Sequence, residues 1–166
     1  MLSVKLGSEQ ARAALEWITQ LLTRYDITYQ ITGGLAAKIY GSERPLADID
    51  IDVPNEAITK IMPDIKNYLV YGPCRYQDSE WDILLATLDY HGQLIDFSGA
   101  DDGLTFDKQN KKWVTCEVDF SKIKRYEIEN INIPVIAKDE LIKYKSSLRR
   151  EVDLLDIAAI HAKEKL

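Results

Sequence analysis

The sequence has few of the residues that build disulfide frameworks or zinc sites. Its 166 residues contain two cysteines, Cys74 and Cys116, and two histidines, His91 and His161. The cysteines lie far apart, and neither has a second cysteine or a histidine at the short spacing that zinc sites use. We therefore expect reduced thiols in a cytoplasmic protein.

Long apolar runs, repeats and linkers are also missing. No apolar run approaches the length of a membrane span, and the first residues do not form a signal-peptide pattern. A chain of 166 residues and 19.0 kDa is long enough for one core. We expect a single domain over residues 1–166, with a C-terminal helical segment over 137–166 and no membrane partner.

Positive charge is in the minority. Lys and Arg number 21 against 27 Asp and Glu, for a net charge of −6. Because binding to nucleic acid depends on neutralising the phosphate backbone, this balance argues mildly against a general nucleic-acid binder. It fits a small cationic acceptor better, although net charge alone does not settle the ligand.

The apolar periodicity predicts alternating helices and strands. We expect helices over residues 8–25, 35–40 and 55–69 and from 138 onwards, the last broken near Arg149. We expect strands over residues 27–32, 49–53, 81–88, 93–97, 113–118 and 126–136, with a hairpin turn at 89–92. This order predicts the α+β class, with a mixed, mostly antiparallel sheet flanked by helices.

Two adjacent glycines, Gly33 and Gly34, follow the first predicted strand. They end that strand and enter a short helix, so backbone N–H groups are exposed at the positive end of the helix, where a phosphate binds well. The simpler interpretation is a tight turn that needs a positive φ.

Carboxylates alternate on the next predicted strand. Asp48, Asp50 and Asp52 project from one face, while the intervening apolar residues pack on the other. Three like charges on one face repel one another, and a hard cation such as Mg²⁺ relieves that repulsion. A solvated acidic edge strand is the plain alternative, which the glycine pair just upstream weakens.

A third carboxylate is expected from a neighbouring strand. Asp96 is an isolated acid flanked by apolar residues in the second arm of the predicted hairpin, where an unpaired carboxylate is unusual. Asp82 and Asp89 are weaker rivals, because Asp82 begins a strand and Asp89 lies in a turn that favours Asp. We prefer Asp96.

These motifs resemble the polymerase-β-like nucleotidyltransferase superfamily, whose mark is Gly-Gly or Gly-Ser, a short helix and then Asp-x-Asp. Within it, the chain is most similar to the small nucleotidyltransferases that modify aminoglycosides and lincosamides. The resemblance rests on residues 31–37, 44–52, 94–96 and 133–141, the last leading into 153–157. Leu35 departs from the Trp that the antibiotic-modifying members often have after Gly-Gly.

The resemblance implies a nucleotidyltransferase fold and Mg²⁺-dependent transfer of NMP from an NTP, with ATP preferred, to an acceptor hydroxyl, releasing pyrophosphate. It assigns the glycine pair to the phosphates, and Asp48 and Asp50 to two metal ions. It gives Asp96 a role as metal ligand, as base for the acceptor hydroxyl, or both. The superfamily also includes toxin-system proteins that modify RNA or protein, so the acceptor does not follow; we prefer a small molecule.

Three residues between the glycines and the acidic strand are candidates for nucleotide binding: Lys38, Ser42 and Arg44. Ordinary solvated surface is an equally good interpretation of them. A second cationic group lies later in the chain and is a candidate to close over the triphosphate: Lys143, Lys145, Arg149 and Arg150. Pairing such as Arg149 with Asp153 is the simpler role for that group.

Aromatic residues and acids elsewhere carry weaker signals. Trp81, Tyr90 and Trp113 are candidates to wall an acceptor pocket, although aromatic strand residues usually serve packing. Asp153 and Asp156 are expected to fix the last helix.

Two other functions stay open. One is a catalytically weak nucleotidyltransferase-like binding module that acts with a protein partner, as in toxin–antitoxin pairs. The other is a metal-dependent phosphodiesterase, which is weaker because such sites generally recruit histidine and this chain has only two.

Overall fold

The computed structural model describes residues 3–166. The helices of this part of the chain are α1 (Glu9–Arg24), α2 (Gly33–Tyr40), α3 (Asn55–Ile65), α4 (Lys138–Leu148) and α5 (Glu151–Glu164). The strands are β1 (Gln30–Thr32), β2 (Asp48–Val53), β3 (Leu69–Gln77), β4 (Trp81–Tyr90), β5 (Gln93–Gly99), β6 (Leu104–Asp107), β7 (Lys112–Thr115), β8 (Lys124–Ile128) and β9 (Ile131–Val135).

The strands form one mixed sheet in the order β7-β6-β4-β5-β2-β1-β9-β8, with β3 paired to β4. The pairs β2–β5 and β1–β9 are parallel, and the other pairs are antiparallel. The predicted α+β class with a mixed, mostly antiparallel sheet is therefore confirmed. No helix among residues 3–166 is both long enough and apolar enough to cross a membrane.

The core lies on one face of the central strands. Ile49, Ile51 and Val53 of β2 are fully buried there with the apolar faces of α1 and α3, while the alternating aspartates point to the other face. Helix α1 begins as predicted at an N-cap serine, because Oγ of Ser8 accepts from the N–H of Ala11 at 3.0 Å. The strand alternation thus separates a core face from a polar face.

Several predicted boundaries are wrong. The strand expected over 27–32 is only Gln30–Thr32. The N–H of Ile27 donates to the carbonyl of Leu22 in the last turn of α1, so the chain at Ile27 still belongs to the end of that helix. The helix expected over 35–40 already begins at Gly33. The strand expected over 113–118 is Lys112–Thr115.

Two longer elements are also divided differently. The helix expected over 55–69 ends at Ile65, and a single 3-10 turn leads into β3, an exposed strand that the sequence pattern did not predict. The strand expected over 126–136 is a hairpin of β8 and β9, because Glu129 and Asn130 both adopt positive φ (49° and 67°). The break between α4 and α5 at Arg149 is as predicted.

Candidate active site

Two parallel strands bring the predicted acids together. In the register of β2 and β5, Asp50 is the partner of Asp96, and Asp48 lies two residues before Asp50 on the same face. One carboxylate oxygen from each of Asp48, Asp50 and Asp96 lies within 4.8 Å of the others. The structure therefore groups the three acids chosen from the sequence, and their role as metal ligands stays a prediction.

The weaker rivals for the third acid have other partners. Asp82 accepts hydrogen bonds from Arg75 and Gln77, and Oδ1 of Asp89 accepts from the N–H of Gly92 in the hairpin turn. Neither belongs to the group of three.

The glycine pair lies against the central acid. Gly33 has a φ of +59°, and a Cβ at this position would come within 1.9 Å of Oδ2 of Asp50. A Cβ at Gly34 would meet no heavy atom within 4 Å, so the first turn of α2 is open there. Only glycine allows both this backbone conformation and this approach of the carboxylate.

Within the described part of the chain, the negative charges of the clustered carboxylates have no cationic side chain beside them. Burial and the negative charges of Asp48 and Asp96 together raise the pKa of Asp50 to about 8, although a backbone hydrogen bond from Gly34 acts in the opposite direction. Burial also raises the pKa of Asp96, against the effect of the Thr87 hydroxyl, which donates to its Oδ1 at 2.6 Å. Among residues 3–166, the ion pairs near this cavity are made by Asp153 and Asp156, and none is made by the three clustered acids.

This charge pattern fits a divalent metal. Clustered oxygen ligands without a protein cation match the donor set of Mg²⁺, which prefers carboxylates together with substrate phosphates. Asp52 lies outside the group, because its Oδ2 accepts from Nε2 of Gln30 at 2.8 Å and burial raises its pKa to about 6.

The three candidates for nucleotide binding before the acidic strand have structural partners. The Arg44 guanidinium donates to Asp156 through Nε and Nη2, both at 2.7 Å, and the Ser42 hydroxyl donates to the same carboxylate at 2.7 Å. Nζ of Lys38 donates to the carbonyl of Arg44 at 3.0 Å. Of these residues the structure brings only Arg44 to the cavity around the acids; their nucleotide-binding role stays a prediction.

Of the four late cations, Lys145 and Arg150 belong to an ion-pair network beside the cavity, while Lys143 and Arg149 are exposed. Lys145 is 2% exposed, and its Nζ lies 3.2 Å from Oδ1 of Asp153 and 3.0 Å from Oδ2 of Asp156. The predicted pair of Arg149 with Asp153 is wrong: Arg150 makes that pair, because Arg149 ends α4 in the left-handed conformation.

This network has a marked effect on Asp156. Burial raises the pKa of Asp156, but hydrogen bonds from Arg44, Ser42 and Lys145 outweigh burial and lower the pKa to about 2. The ion pairs join α4, α5 and the segment after α2. Asp153 and Asp156 therefore anchor the last helix, in the positions expected for that role.

A cavity of about 460 Å³ encloses the glycine pair and the acids. Other parts of its lining come from β3, β4, α4 and the loop after β7 and carry aromatic and acidic side chains: Tyr76, Trp81, Tyr144, Glu117, Asp119 and Glu140. Of these residues the sequence pattern indicated only Trp81. The others belong to no motif and meet through the fold.

The other two aromatic candidates lie elsewhere. Tyr90 stacks on Trp17 with ring centroids 4.2 Å apart, and Trp113 packs edge-on against Phe106 at 5.6 Å. Neither lines the cavity. The interpretation of Tyr90 and Trp113 as pocket walls is therefore wrong, and packing explains both.

Comparison with known protein families identifies the family of this chain. The model of the aminoglycoside-2''-adenylyltransferase family matches residues 14–160. The chain belongs to this family. The predicted resemblance to nucleotidyltransferases that modify aminoglycosides and lincosamides is thereby confirmed, and the protein is a nucleotidyltransferase whose co-substrate is a nucleotide. No curated protein matches the chain.

Solved structures show that this adenylyltransferase-family protein has a nucleotidyltransferase fold. The lincosamide adenylyltransferase LnuA, solved with lincomycin, is 16% identical with a TM-score of 0.60 over 90% of this chain and 96% of its own. ANT(2'')-Ia, solved with adenylyl-2''-tobramycin, is 12% identical with a TM-score of 0.57 over 92% and 90%. A Thermotoga maritima protein with inferred nucleotidyltransferase activity is 17% identical, with a TM-score of 0.58 over 90% and 91%.

Proposed function

We propose that this family member transfers the AMP moiety of ATP to a hydroxyl group of a small cationic acceptor, with Mg²⁺ bound and pyrophosphate released. The observation that carries the proposal is the contact between Gly33 and Asp50. It places the open start of α2, a suitable seat for phosphates, directly beside the three carboxylates.

Asp48, Asp50 and Asp96 are the residues that would hold Mg²⁺, two ions in the preferred arrangement. When bound, the metal supplies charge neutralisation at the triphosphate and alignment of the reacting oxygen with the α-phosphorus. The N–H of Gly34 already donates to Asp50; the other N–H groups of the first turn of α2 would supply further hydrogen bonds to the phosphates, and the open space at Gly34 leaves them accessible.

Asp96 is the proposed base. Thr87 binds its Oδ1, so the carboxylate is held in one orientation and keeps its other oxygen for the acceptor. The acceptor hydroxyl gives its proton to Asp96 while its oxygen forms a bond to the α-phosphorus. The bond from the α-phosphorus to the bridging oxygen of the β-phosphate breaks, and pyrophosphate leaves.

The acceptor side of the cavity supports a cationic small molecule. Glu117, Asp119 and Glu140 line it, and within residues 3–166 only Glu140 makes an ion pair, with Lys122. Amino groups of an acceptor would neutralise these acids. Lincomycin and adenylyl-2''-tobramycin, the molecules bound in two of the fold relatives, fit that chemistry.

The same observations favour an active enzyme over a weak binding module, because the three acids are present and adjacent. We place the reaction in the cytoplasm, where ATP is abundant and the free thiols of Cys74 and Cys116 stay reduced.

The test is transfer of label from α-labelled ATP. The protein is incubated with Mg²⁺ and, in separate reactions, an aminoglycoside, a lincosamide, tRNA or no acceptor, the last reporting on self-modification. We expect label in a small cationic acceptor, lost with EDTA and in Asp96→Asn. Label in tRNA or in the protein itself would contradict the small-molecule acceptor, and no labelled product with any acceptor would contradict the proposed transfer.

A further inference from the structure

Tyr144 presents a hydroxyl group to the cavity from α4. Its Oη accepts a hydrogen bond from Nε1 of Trp81 at 3.0 Å, and the guanidinium of Arg150 covers the Trp81 ring at 4.7 Å from its centroid. These contacts hold the phenol in place. They use a lone pair of Oη and leave its proton available, and no hydrogen bond within residues 3–166 uses that proton.

The hydroxyl is a donor at neutral pH. Burial raises the pKa of Tyr144 well above its ordinary value, and the neighbouring Cys116, Asp50 and Asp52 raise it further. The phenol therefore stays protonated. A partly buried donor without an acceptor is costly, so a ligand oxygen at this position would be bound favourably.

The surroundings of Tyr144 favour the nucleotide as the source of that oxygen. Tyr144 lines the same cavity as Asp50 and the glycine pair, and Asp50 lies against Gly33, where the phosphates are proposed to bind. The nearby carboxylates have their own donors: Gly34 for Asp50, Gln30 for Asp52 and Thr87 for Asp96.

We infer that Tyr144 donates its hydroxyl proton to an oxygen of the bound nucleotide, on a phosphate or on the ribose. This inference rests on the proposed function. It adds a nucleotide-binding residue that lies in none of the motifs of the chain. In this role, the contacts with Trp81 and Arg150 orient the Tyr144 hydroxyl towards the ligand.

Calorimetric titration of ATP and Mg²⁺ into the wild type, Tyr144→Phe and Tyr76→Phe tests the inference. We expect Tyr144→Phe to weaken ATP binding about tenfold, the loss typical of one hydrogen bond to a charged or polar group. Tyr76 lines the same cavity but its hydroxyl donates to Oδ2 of Asp78 at 2.8 Å, so Tyr76→Phe is the matched control and should change binding less than about twofold.

Two analogues distinguish a ligand contact from a loss of structure. Adenosine lacks the phosphates, and 2′,3′-dideoxy-ATP lacks the ribose hydroxyls. We expect the effect of Tyr144→Phe to vanish with one analogue, which identifies the accepting oxygen, and to persist with the other. Equal weakening with both analogues, or binding of ATP equal to wild type, would overturn the inference. Failure of the wild type to bind ATP at all would overturn the proposed function as well.

Discussion

The carboxylate of Asp50 rests against the Cα of Gly33, so closely that a Cβ there would lie 1.9 Å from Oδ2. This contact joins the phosphate seat and the acidic strand into one site. It also explains why the motif needs glycine at this position, both for the positive φ and for the approach of the acid.

The two glycines should therefore respond differently to alanine. We expect Gly33→Ala to lower the free energy of unfolding by about 2 kcal/mol or more, because the new methyl group meets Asp50 and the backbone is strained at positive φ. Gly34→Ala, with open space around it, should be within about 1 kcal/mol of wild type. Urea denaturation measures both, and equal losses would contradict the contact.

Removing one charge from the acidic group should stabilise the metal-free protein. Asp50 is buried beside Asp48 and Asp96 and its pKa is about 8, so above that pH, where the comparison is made, Asp50→Asn removes a buried charge and relieves like-charge repulsion. We expect the melting temperature without metal to rise, and the stabilisation by Mg²⁺ to disappear. In the wild type, Mg²⁺ at one hundred times its Kd should add about 2.7 kcal/mol.

Asp89→Asn is the control for that experiment. It removes one negative charge from a hairpin turn outside the cavity and leaves an oxygen that can still accept from Gly92. It should leave the effect of Mg²⁺ intact. Equal stabilisation of Asp50→Asn and wild type by Mg²⁺ would show that the ion binds elsewhere.

The ion-pair network around Asp156 predicts an acid-sensitive stability. Its pKa is about 2 in the folded protein, below its ordinary value of 3.8, so its stabilising effect is complete above about pH 4 and is lost as the pH falls towards 2. Asp156→Asn should lose about 3 kcal/mol at pH 7, because Lys145 and Arg44 lose their shared partner.

Urea denaturation of Asp156→Asn and wild type across pH 7 to 2 measures this effect. The difference in unfolding free energy should narrow between about pH 4 and 2 as the wild-type carboxylate becomes protonated. A difference that stays constant over that range would show that the network does not depend on the charge of Asp156.

The hydroxyl of Thr87 should matter for turnover rather than for nucleotide binding. Thr87→Val removes the donor that orients Asp96 while keeping the volume. We expect kcat to fall about tenfold with little change in ATP affinity, since the effect acts through the proposed base. Steady-state kinetics together with ATP titration check this, and weaker ATP binding at an unchanged kcat would place Asp96 on the nucleotide instead.

The sequence was most informative where strand alternation and local chemistry agree. The alternation of β2 predicts which side chains share a face, and an isolated acid in an apolar strand is a rare event, so Asp50 and Asp96 were both identifiable. Their direct pairing in parallel register is a property of the sheet and completes the group.

Residues whose roles depend on distant neighbours were not predictable. Tyr144, Glu117 and Tyr76 lie on a helix, in a loop and on an exposed strand, and nothing in their local pattern shows that these segments meet over one cavity. The exposed strand β3 lacks the apolar alternation of the others. The turn at Glu129 adopts positive φ without a glycine to mark it, so the sequence pattern predicted one strand where the structure has a hairpin.

Nucleotidyl transfer with release of pyrophosphate is tested most directly by following where the α- and γ-phosphates of ATP go. ATP carrying separate labels on its α- and γ-phosphates is incubated with Mg²⁺, enzyme and a small cationic acceptor, with Asp96→Asn as control. We predict one α-label in the acceptor for each γ-label in pyrophosphate, and a rate roughly a thousandfold lower for the variant. Release of the γ-label as inorganic phosphate, or transfer that does not need Asp96, would contradict this prediction.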